Sequence, residues 1–433
     1  MIGSSLAAGG PIVLAGGRVF DPDGGAFGPP ATVVLIDDQV SAVVPRAAFE
    51  AGPADTVIDV TGCYVLPGLI DAHFHLVSRS ATTVTEDVVS LGSVEGVVNA
   101  ADRLRAGVTT VRDAGCRHRG IHALMRAIRA GVVVGPRAFI AGRNPTGPLA
   151  PSHWRNVIVR GPDDMRSAVR AELDGGADWV KFVIGHAEDP SDWSRVTPYL
   201  TEEEIRAGVQ EAHAHAVRVG VHCEGVDMAR VAVRSGVDTL DHAPLLDDET
   251  VEQMAASGTA YVPTLWAFSD DSGLADTPAS TSAQAAVRFW QEEHRRSVRR
   301  AAAAGVLIAA GSDAAGSLPG GDVLVREIAA LINAGLGSAR ALRAATLDAA
   351  RVIGAEDRLG SLQPGKAADV VIVDRDPLTD VWTLARPLMV VARGRVMLNR
   401  RTNQDLLPVA PSQEAARDLA GLTSRWRGDD DER

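Results

Sequence analysis

Apolar runs alternate with amphipathic helical stretches from Gly68 onward. The runs that predict strands lie at 68–76, 108–113, 137–142, 179–185, 219–223, 238–242, 260–266 and 306–312. Helical patterns lie between most of them, for example at 163–173 and at 201–217, where Thr201 and Glu204 predict a capping box. Such alternation predicts parallel strands joined by right-handed crossovers. Roughly eight β/α units indicate an α/β fold with a (β/α)8 TIM barrel over residues 67–362.

The two ends of the chain follow a different pattern. Up to residue 66, short apolar runs are separated by turn residues, as in the sequence DPDGG at 21–25, and this pattern returns after Leu362. We expect residues 1–66 and 363–400 to pair into one small β-sandwich domain beside the barrel. The tail at 401–433 is polar at its end, and we expect it to fray.

Charge and composition exclude several classes of partner. The formal net charge of -12 argues against non-specific nucleic-acid binding, which needs a basic face. No run approaches the ~18 apolar residues of a membrane helix, and no basic segment precedes the apolar start, as a secretory signal requires. Three scattered cysteines fit a reducing cytoplasm. We expect a cytoplasmic protein with a small-molecule substrate, and its acidic surface does not oppose a homo-oligomer.

Polar residues cluster at the carboxyl ends of the predicted strands, where the catalytic residues of a barrel lie. His73 and His75 share one face of the first strand and present two imidazoles side by side, as a single metal ion requires. Any one such residue is better explained by packing or solvation, but six at one rim indicate a metal site. The other four are Lys181, His222, His242 and Asp313.

Two phrases support this interpretation, VLPGLIDAH at 65–73 and GSLQPGKAAD at 360–369. With the six strand-end residues, they resemble the metal-dependent amidohydrolase superfamily, in its binuclear branch with a carboxylated lysine. The sequence is similar to Xaa-Pro dipeptidase, carboxypeptidase-like and imidazolonepropionase-related members over about residues 10–400. The resemblance implies the barrel, a β-sandwich built from both chain ends and metal-dependent cleavage of a C–N bond.

The resemblance also assigns the first ion. It implies that His73 and His75 hold the more buried metal together with Asp313. A metal lowers the pKa of the water that it binds toward neutrality. Asp313 could take the proton of that water as general base and pass it to the leaving group.

The second ion is assigned by the same resemblance to His222 and His242, with a carboxylated Lys181 as the bridging ligand. A lysine ammonium beside metal ions is costly, whereas carboxylation gives an anion with two oxygens that can bridge two cations. The alternative is that Lys181 reaches the surface or pairs with an acid. Zinc is the default for a histidine-rich pair of sites, although manganese and cobalt fit the same ligands. Asp313, Lys181 and His242 are the catalytic candidates.

Candidate substrate-binding residues are less clearly marked. The loop after the third strand lacks the Gly-Gly-His-Gly sequence of dipeptidase-like members. In that loop, Arg143 and Arg155 could bind a carboxylate and His153 a scissile carbonyl, or all three are solvated. Glu224 could shuttle a proton, bind a cationic group or lie solvated at the rim. Trp266 indicates an apolar portion of the substrate.

Three functions therefore compete. The leading one is hydrolysis of an amide, in a dipeptide, an N-acyl amino acid or a cyclic amide. The alternative is a mononuclear deaminase of a heterocyclic amine, which needs an acid near the fifth-strand histidine, as Glu224 is, but no bridging Lys181. A non-enzymatic barrel is disfavoured because all six ligand candidates are present.

Overall fold

The computed structural model describes residues 10–77, 86–151, 157–187, 189, 191–272, 281–315, 322–403 and 405. None of the helices in these ranges combines the length and the apolar character that crossing a bilayer requires. The chain begins with five strands: β1 (Ile12–Asp21), β2 (Ala26–Ile36), β3 (Gln39–Pro45), β4 (Thr56–Asp59) and β5 (Tyr64–Pro67).

Strands and helices then alternate, as the sequence pattern predicts. The strands are β6 (Leu69–His75), β7 (Val108–Asp113), β8 (Arg137–Ile140), β9 (Pro145–Thr146), β10 (Val157–Ile158), β11 (Val180–Val183), β12 (Gly185–Ala187), β13 (Val196–Pro198), β14 (Val219–Cys223), β15 (Thr239–His242), β16 (Ala260–Val262) and β17 (Ala314–Ala315). The helices are α1 (Glu86–Arg105), α2 (Gly120–Arg129), α3 (Pro162–Asp174), α4 (Glu202–Ala214), α5 (Val226–Arg234), α6 (Asp248–Ser257), α7 (Thr281–Ala303), α8 (Val323–Asn333), α9 (Ser338–Ala344) and α10 (Leu347–Val352).

Ten of these strands form two parallel sheets, in the orders β10-β9-β11-β14-β15-β16 and β17-β6-β7-β8. Backbone hydrogen bonds link the sheets on both sides. On one side Ala72 donates to Ala310 O at 2.9 Å, and Tyr261 donates to Leu307 O at 2.8 Å. On the other side Asp178 donates to Ile140 O at 2.8 Å. The carboxyl ends of β6, β11, β14 and β15 therefore meet in one region.

Several predicted elements are confirmed. The strands at 108–113 and 219–223 have the predicted bounds. The helix predicted at 201–217 is α4, and Thr201 and Glu204 form both bonds of its capping box. Every residue of β14 is buried, so the strand is covered on both faces.

Two predicted strands are wrong in part. The strand at 260–266 ends at Val262, because Pro263 has no N–H to donate and Thr264 takes a left-handed φ of 52°. The strand at 306–312 is reduced to a single bridge at Ile308. Backbone hydrogen bonds still join this segment to both sheets, and at its end Ser312 donates through its N–H and its hydroxyl to the two oxygens of Asp71, at 2.9 and 2.6 Å.

The chain ends with β18 (Val370–Val373), β19 (Met389–Ala392) and β20 (Arg395–Asn399). These strands join the first five in one continuous eight-stranded sheet, ordered β20-β19-β18-β5-β1-β2-β3 with β4 beside β1. Antiparallel pairing of β5 with β18 connects the two parts of the sheet. Its own apolar core includes Leu14, Val33, Val65, Val370 and Val391. The domain bounds themselves stay a prediction.

Candidate metal centre

Three ligand atoms meet at the carboxyl end of β6. The Nε2 atoms of His73 and His75 each lie 3.2 Å from Oδ1 of Asp313. Asp313 precedes β17 with a left-handed φ of 48°, and its N–H donates to His73 O at 2.7 Å. An aspartate tolerates this conformation better than most residues. The backbone of the neighbouring segment thus holds the carboxylate against both imidazoles.

The spacing of these atoms fits one metal ion. A tetrahedral zinc ion with bonds of about 2.0–2.2 Å separates its ligand atoms by roughly 3.3–3.6 Å. The two His–Asp313 separations of 3.2 Å lie close to that range. All three side chains are largely buried, so few waters compete for the ligand atoms. His73 and His75 could therefore each share an ion with Asp313, and ligand atoms of His73, His242 and Asp313 also lie within 4.8 Å of one another.

Asp241 is a central residue of this region that sequence reasoning missed. It is fully buried, its Oδ2 lies 2.9 Å from His73 Nδ1 and contacts Lys181 Nζ, and its Oδ1 lies 2.7 Å from Arg112 Nη2. Burial raises the pKa of Asp241, but the charges of Arg112 and Lys181 outweigh it and hold that pKa well below its ordinary value. The ionised carboxylate favours the His73 proton on Nδ1, which leaves Nε2 for an ion.

Replacement of Asp241 by asparagine is expected to weaken metal binding by about 10–100-fold, because His73 then loses the carboxylate that orients it. Competition with a chromophoric chelator measures the change. Asp238→Asn is the matched control, since Asp238 also lies 2.9 Å from a histidine, His213, but outside the cluster. Equal affinity in the Asp241 variant and the control would contradict this role.

Lys181 is buried on β11 and does not reach the surface. Burial lowers the pKa of Lys181 to about 8, although the charge of Asp241 acts in the opposite direction and that of Arg112 adds to the lowering. A larger share of this amine is therefore uncharged at neutral pH than for an exposed lysine. The structure shows the acid pairing that we considered as an alternative, and the bridging role stays a prediction.

His242 and His222 lie beside these three candidate ligands. The ring of His242 is centred 4.8 Å from that of His73 and 4.4 Å from that of His222. His242 Nδ1 lies 2.8 Å from Thr264 Oγ1, an arrangement that leaves Nε2 to face a ligand. Burial lowers the pKa of His222 to about 4 and that of His242 well below its ordinary value. Both rings are therefore neutral at pH 7, as metal ligands must be.

Glu224 is buried next to these rings and does not lie at the rim. Its Oε2 accepts the N–H of Ala187 at 2.7 Å, and its Oε1 lies 3.0 Å from His186 Nδ1 and 3.5 Å from His222 Nε2. Burial raises the pKa of Glu224, but the hydrogen bonds and the charges of His186 and His222 outweigh this effect and lower the pKa to about 2. The short hairpin β12–β13 carries His186 into this position.

The other described substrate-binding candidates make contacts outside the cluster. Arg143 lies with its Nη2 2.7 Å from the buried Glu172, which also accepts the Arg143 N–H at 2.9 Å. Trp266 lines a cavity of about 220 Å³ between α7 and α8, whereas the nearby Phe268 ring is centred 5.8 Å from that of His242. The predictions for His153 and Arg155 fall outside the described residues.

Glu327 on α8 provides a test of stability against pH. It is fully buried and accepts the N–H of Trp266 at 2.7 Å. Burial, with smaller contributions from the charges of Asp71 and Asp313, raises its pKa to about 8. The folded state therefore keeps a proton that the unfolded state loses above its ordinary pKa of about 4.5, so stability falls as pH rises from about 4.5 to 8.

Glu327→Gln is expected to remove this pH dependence and to stabilise the protein at pH 8 by a few kcal/mol, with no gain at pH 4. Thermal unfolding of variant and wild type across this range measures the difference. The exposed Glu249→Gln serves as control and should follow the wild type. A gap in Tm that does not grow with pH would show that Glu327 is not protonated in the folded protein.

Parallel strands with a histidine and carboxylate cluster at their carboxyl ends define the class: an α/β enzyme with a candidate divalent-metal centre. The profile of the Amidohydrolase family matches residues 64–397, and the chain belongs to that family. This confirms the predicted resemblance. Membership implies a TIM barrel with a small domain, in agreement with the strands described above.

Individual relatives are similar over most of the chain. An uncharacterised protein of Mycobacterium tuberculosis is 31% identical over 356 residues, which are 79% of this chain and 87% of that protein. An ochratoxinase of Aspergillus niger is 26% identical over 365 residues, covering 75% of this chain and 73% of that protein. The crystal structure of an Xaa-Pro dipeptidase superposes with a TM-score of 0.78 and 25% identity, over 89% and 99% of the two chains.

Proposed function

We propose that this protein is a metal-dependent hydrolase that cleaves an amide bond, in a dipeptide, an N-acyl amino acid or a cyclic amide. The observation that carries the proposal is the buried cluster at the end of β6, in a chain of the amidohydrolase family: Nε2 of His73 and of His75 each lie 3.2 Å from Oδ1 of Asp313, and ligand atoms of His73, His242 and Asp313 lie within 4.8 Å of one another. The similarity to an Xaa-Pro dipeptidase supports small peptides as the first substrates to test.

The proposal includes two divalent ions, with zinc as the default. His73, His75 and Asp313 would hold one ion, and His222 and His242 the other, with carboxylated Lys181 between them. Bound ions of this kind polarise a carbonyl and lower the pKa of water. We further propose that the two parallel sheets form one (β/α)8 barrel, with the small domain drawn from 1–66 and 363–400.

Asp313 would move the proton of the reaction. One of its oxygens faces the two β6 histidines, and its Oδ2 lies 4.0 Å from His242 Nδ1. Its side chain is 11% exposed, so water and substrate can approach it. Asp313 would accept the proton of the attacking water and then donate it to the leaving amine.

The scarcity of lysine supports a chemical role for Lys181. The chain has two lysines, Lys181 and Lys366, among 43 basic residues. Arginine fills almost every position that needs only a positive charge. A buried amine offers what a guanidinium cannot, because only an amine is readily deprotonated, and the neutral amine can take up CO2 as a carbamate. Lys181 and His73 both contact Oδ2 of Asp241, so a carbamate on Lys181 would lie close to the predicted metal ligands.

A deaminase is the second candidate, and Glu224 is the observation in its favour. Its Oε1 lies 3.5 Å from His222 Nε2, where a deaminase of a heterocyclic amine needs an acid. Such an enzyme would use one ion and no bridging lysine. The buried Lys181 therefore favours the hydrolase.

Turnover on a panel of dipeptides, N-acyl amino acids and cyclic amides tests the proposal. The protein is prepared with zinc and bicarbonate, and amine release is measured before and after removal of the metal by chelation. We expect release that chelation abolishes. Ammonia release from heterocyclic amines, with every amide left intact, would replace the hydrolase by the deaminase.

We also propose a cytoplasmic protein that acts on a small molecule without nucleic acid or membrane partners. The support is the net charge of -12 and the three cysteines, all of them buried and free of disulfides.

A further inference from the structure

We propose that His186, His222 and Glu224 form an additional divalent-cation site, for zinc or a similar transition ion, beside the predicted pair of ions. One ligand atom of each residue lies within 4.8 Å of those of the other two. The site combines a residue of the β12–β13 hairpin with His222 of β14 and with Glu224, which follows that strand, and it shares no residue with the set formed by His73, His75 and Asp313.

The distances suit an ion. Oε1 of Glu224 lies 3.0 Å from His186 Nδ1 and 3.5 Å from His222 Nε2, which straddle the separation of roughly 3.3–3.6 Å expected for ligands of a tetrahedral zinc ion. Two imidazoles and one carboxylate are a common ligand set for catalytic zinc, in which a fourth position stays open to water or a ligand.

The surroundings hold the carboxylate in place and leave an entry. The N–H of Ala187 binds the other oxygen of Glu224 at 2.7 Å, so Oε1 keeps its direction. The side chains of His222 and Glu224 are 10% and 4% exposed, whereas that of His186 is 30% exposed. An ion can therefore reach the site from the His186 side and finish with two buried ligands.

His222 connects this site to the predicted second ion. A neutral imidazole has one lone pair for a metal, and it can bind ions through both nitrogens only after losing its remaining proton. With zinc in excess, an ion at Nε2 of His222 therefore takes the place of that proton, and the ring is shared with the predicted second ion on its opposite side. The added negative charge of the shared ring should make the predicted second ion a weaker Lewis acid, so occupation of the additional site should lower its activity.

Zinc binding to the full chain tests the site. Competition with a chromophoric chelator, followed by elemental analysis, compares the wild type with His186→Asn and Glu224→Gln. We expect the wild type to bind one zinc equivalent more than His186→Asn, and the ions of the predicted binuclear centre to stay bound in that variant. His213→Asn is the matched control, because His213 lies 2.9 Å from Asp238 and the described part of the chain brings no third ligand to that pair.

Crystals equilibrated with zinc give a second readout that a merely structural contact would not produce. An anomalous peak is expected at about 2.0–2.2 Å from His186 Nδ1 and Glu224 Oε1. Equal zinc equivalents in the wild type and His186→Asn, or no peak beside His186, would overturn the proposal. Since His186 is partly exposed, its replacement leaves a folded protein for the comparison even if Glu224→Gln fails to fold.

Inhibition by excess zinc is a further readout and rests on the proposed function. Turnover of the wild type should fall as zinc rises, whereas that of His186→Asn should not. Absence of turnover on every amide would contradict the hydrolase proposal. The zinc equivalents and the anomalous peak would still test the additional cation site.

Discussion

Replacement of Asp313 by asparagine is expected to lower kcat on any accepted amide by about 10²–10⁴-fold. The amide cannot accept the proton of the attacking water at neutral pH, and it is a poorer metal ligand than the carboxylate that lies 3.2 Å from both β6 histidines. Kinetics at a zinc concentration that just fills the predicted pair of ions, together with metal content, separate loss of the base from loss of the ion.

The fold should persist in this variant, because the Asp313 N–H that donates to His73 O belongs to the backbone. Circular dichroism and thermal unfolding check this. Asp348→Asn on α10 is the control, since Asp348 pairs with Arg343 and Arg351 and should leave kcat unchanged. Wild-type turnover in Asp313→Asn would exclude the general-base role.

Lys181→Ala is expected to reduce the metal content from two ions per chain to one or none and to remove most turnover. The alanine cannot carry the carboxylate that would bridge the ions, and it leaves a space on β11 beside Asp241. Formate or acetate should restore part of the turnover by occupying that space. Elemental analysis and kinetics with and without the added acid measure both effects.

Lys366→Ala is the matched control, because it removes the only other lysine. Lys366 donates to Leu359 O at 3.4 Å. Carbon-13 NMR with labelled bicarbonate should show a lysine carbamate in the wild type and in the control but not in Lys181→Ala. Two ions retained in Lys181→Ala would remove this residue from the metal centre.

Periodicity in the sequence explains how part of the cluster comes together. Alternation along β6 places His73 and His75 on one face, and the structure brings both to Asp313. The same rule predicts that Cys223 turns away from His222, and Cys223 is indeed packed in the main apolar core. Where a strand is regular, its period of two residues is enough to predict which side chains share a face.

Asp241 could not be predicted in this way, because the strand geometry changes at its neighbour. Alternation places Asp241 and His242 on opposite faces. His242, however, has a left-handed φ of 70°, so the strand ends there and both side chains turn toward the cluster. The contacts of Asp241 also depend on the register of Arg112 and Lys181 on two other strands.

The segment before Asp313 was mispredicted for a related reason. At Gly311 a Cβ atom would lie 2.7 Å from the Cβ of His73, so this position needs glycine for a close approach of two backbones. The apolar run at 306–312 indicates a buried strand, but its pattern contains no information about that approach. The two hydrogen bonds that Ser312 donates to Asp71 then position the end of the segment, in addition to its backbone bonds to both sheets.

The continuous sheet made from both chain ends has a consequence for how the protein folds during synthesis. β5 leaves the ribosome long before β18, its partner, since about 300 residues of the catalytic region lie between Pro67 and Val370. One edge of the early strands therefore stays without its native neighbour until nearly the whole chain has been made. Pairing across such a separation is slow, so nascent chains expose an aggregation-prone edge that chaperones would need to cover.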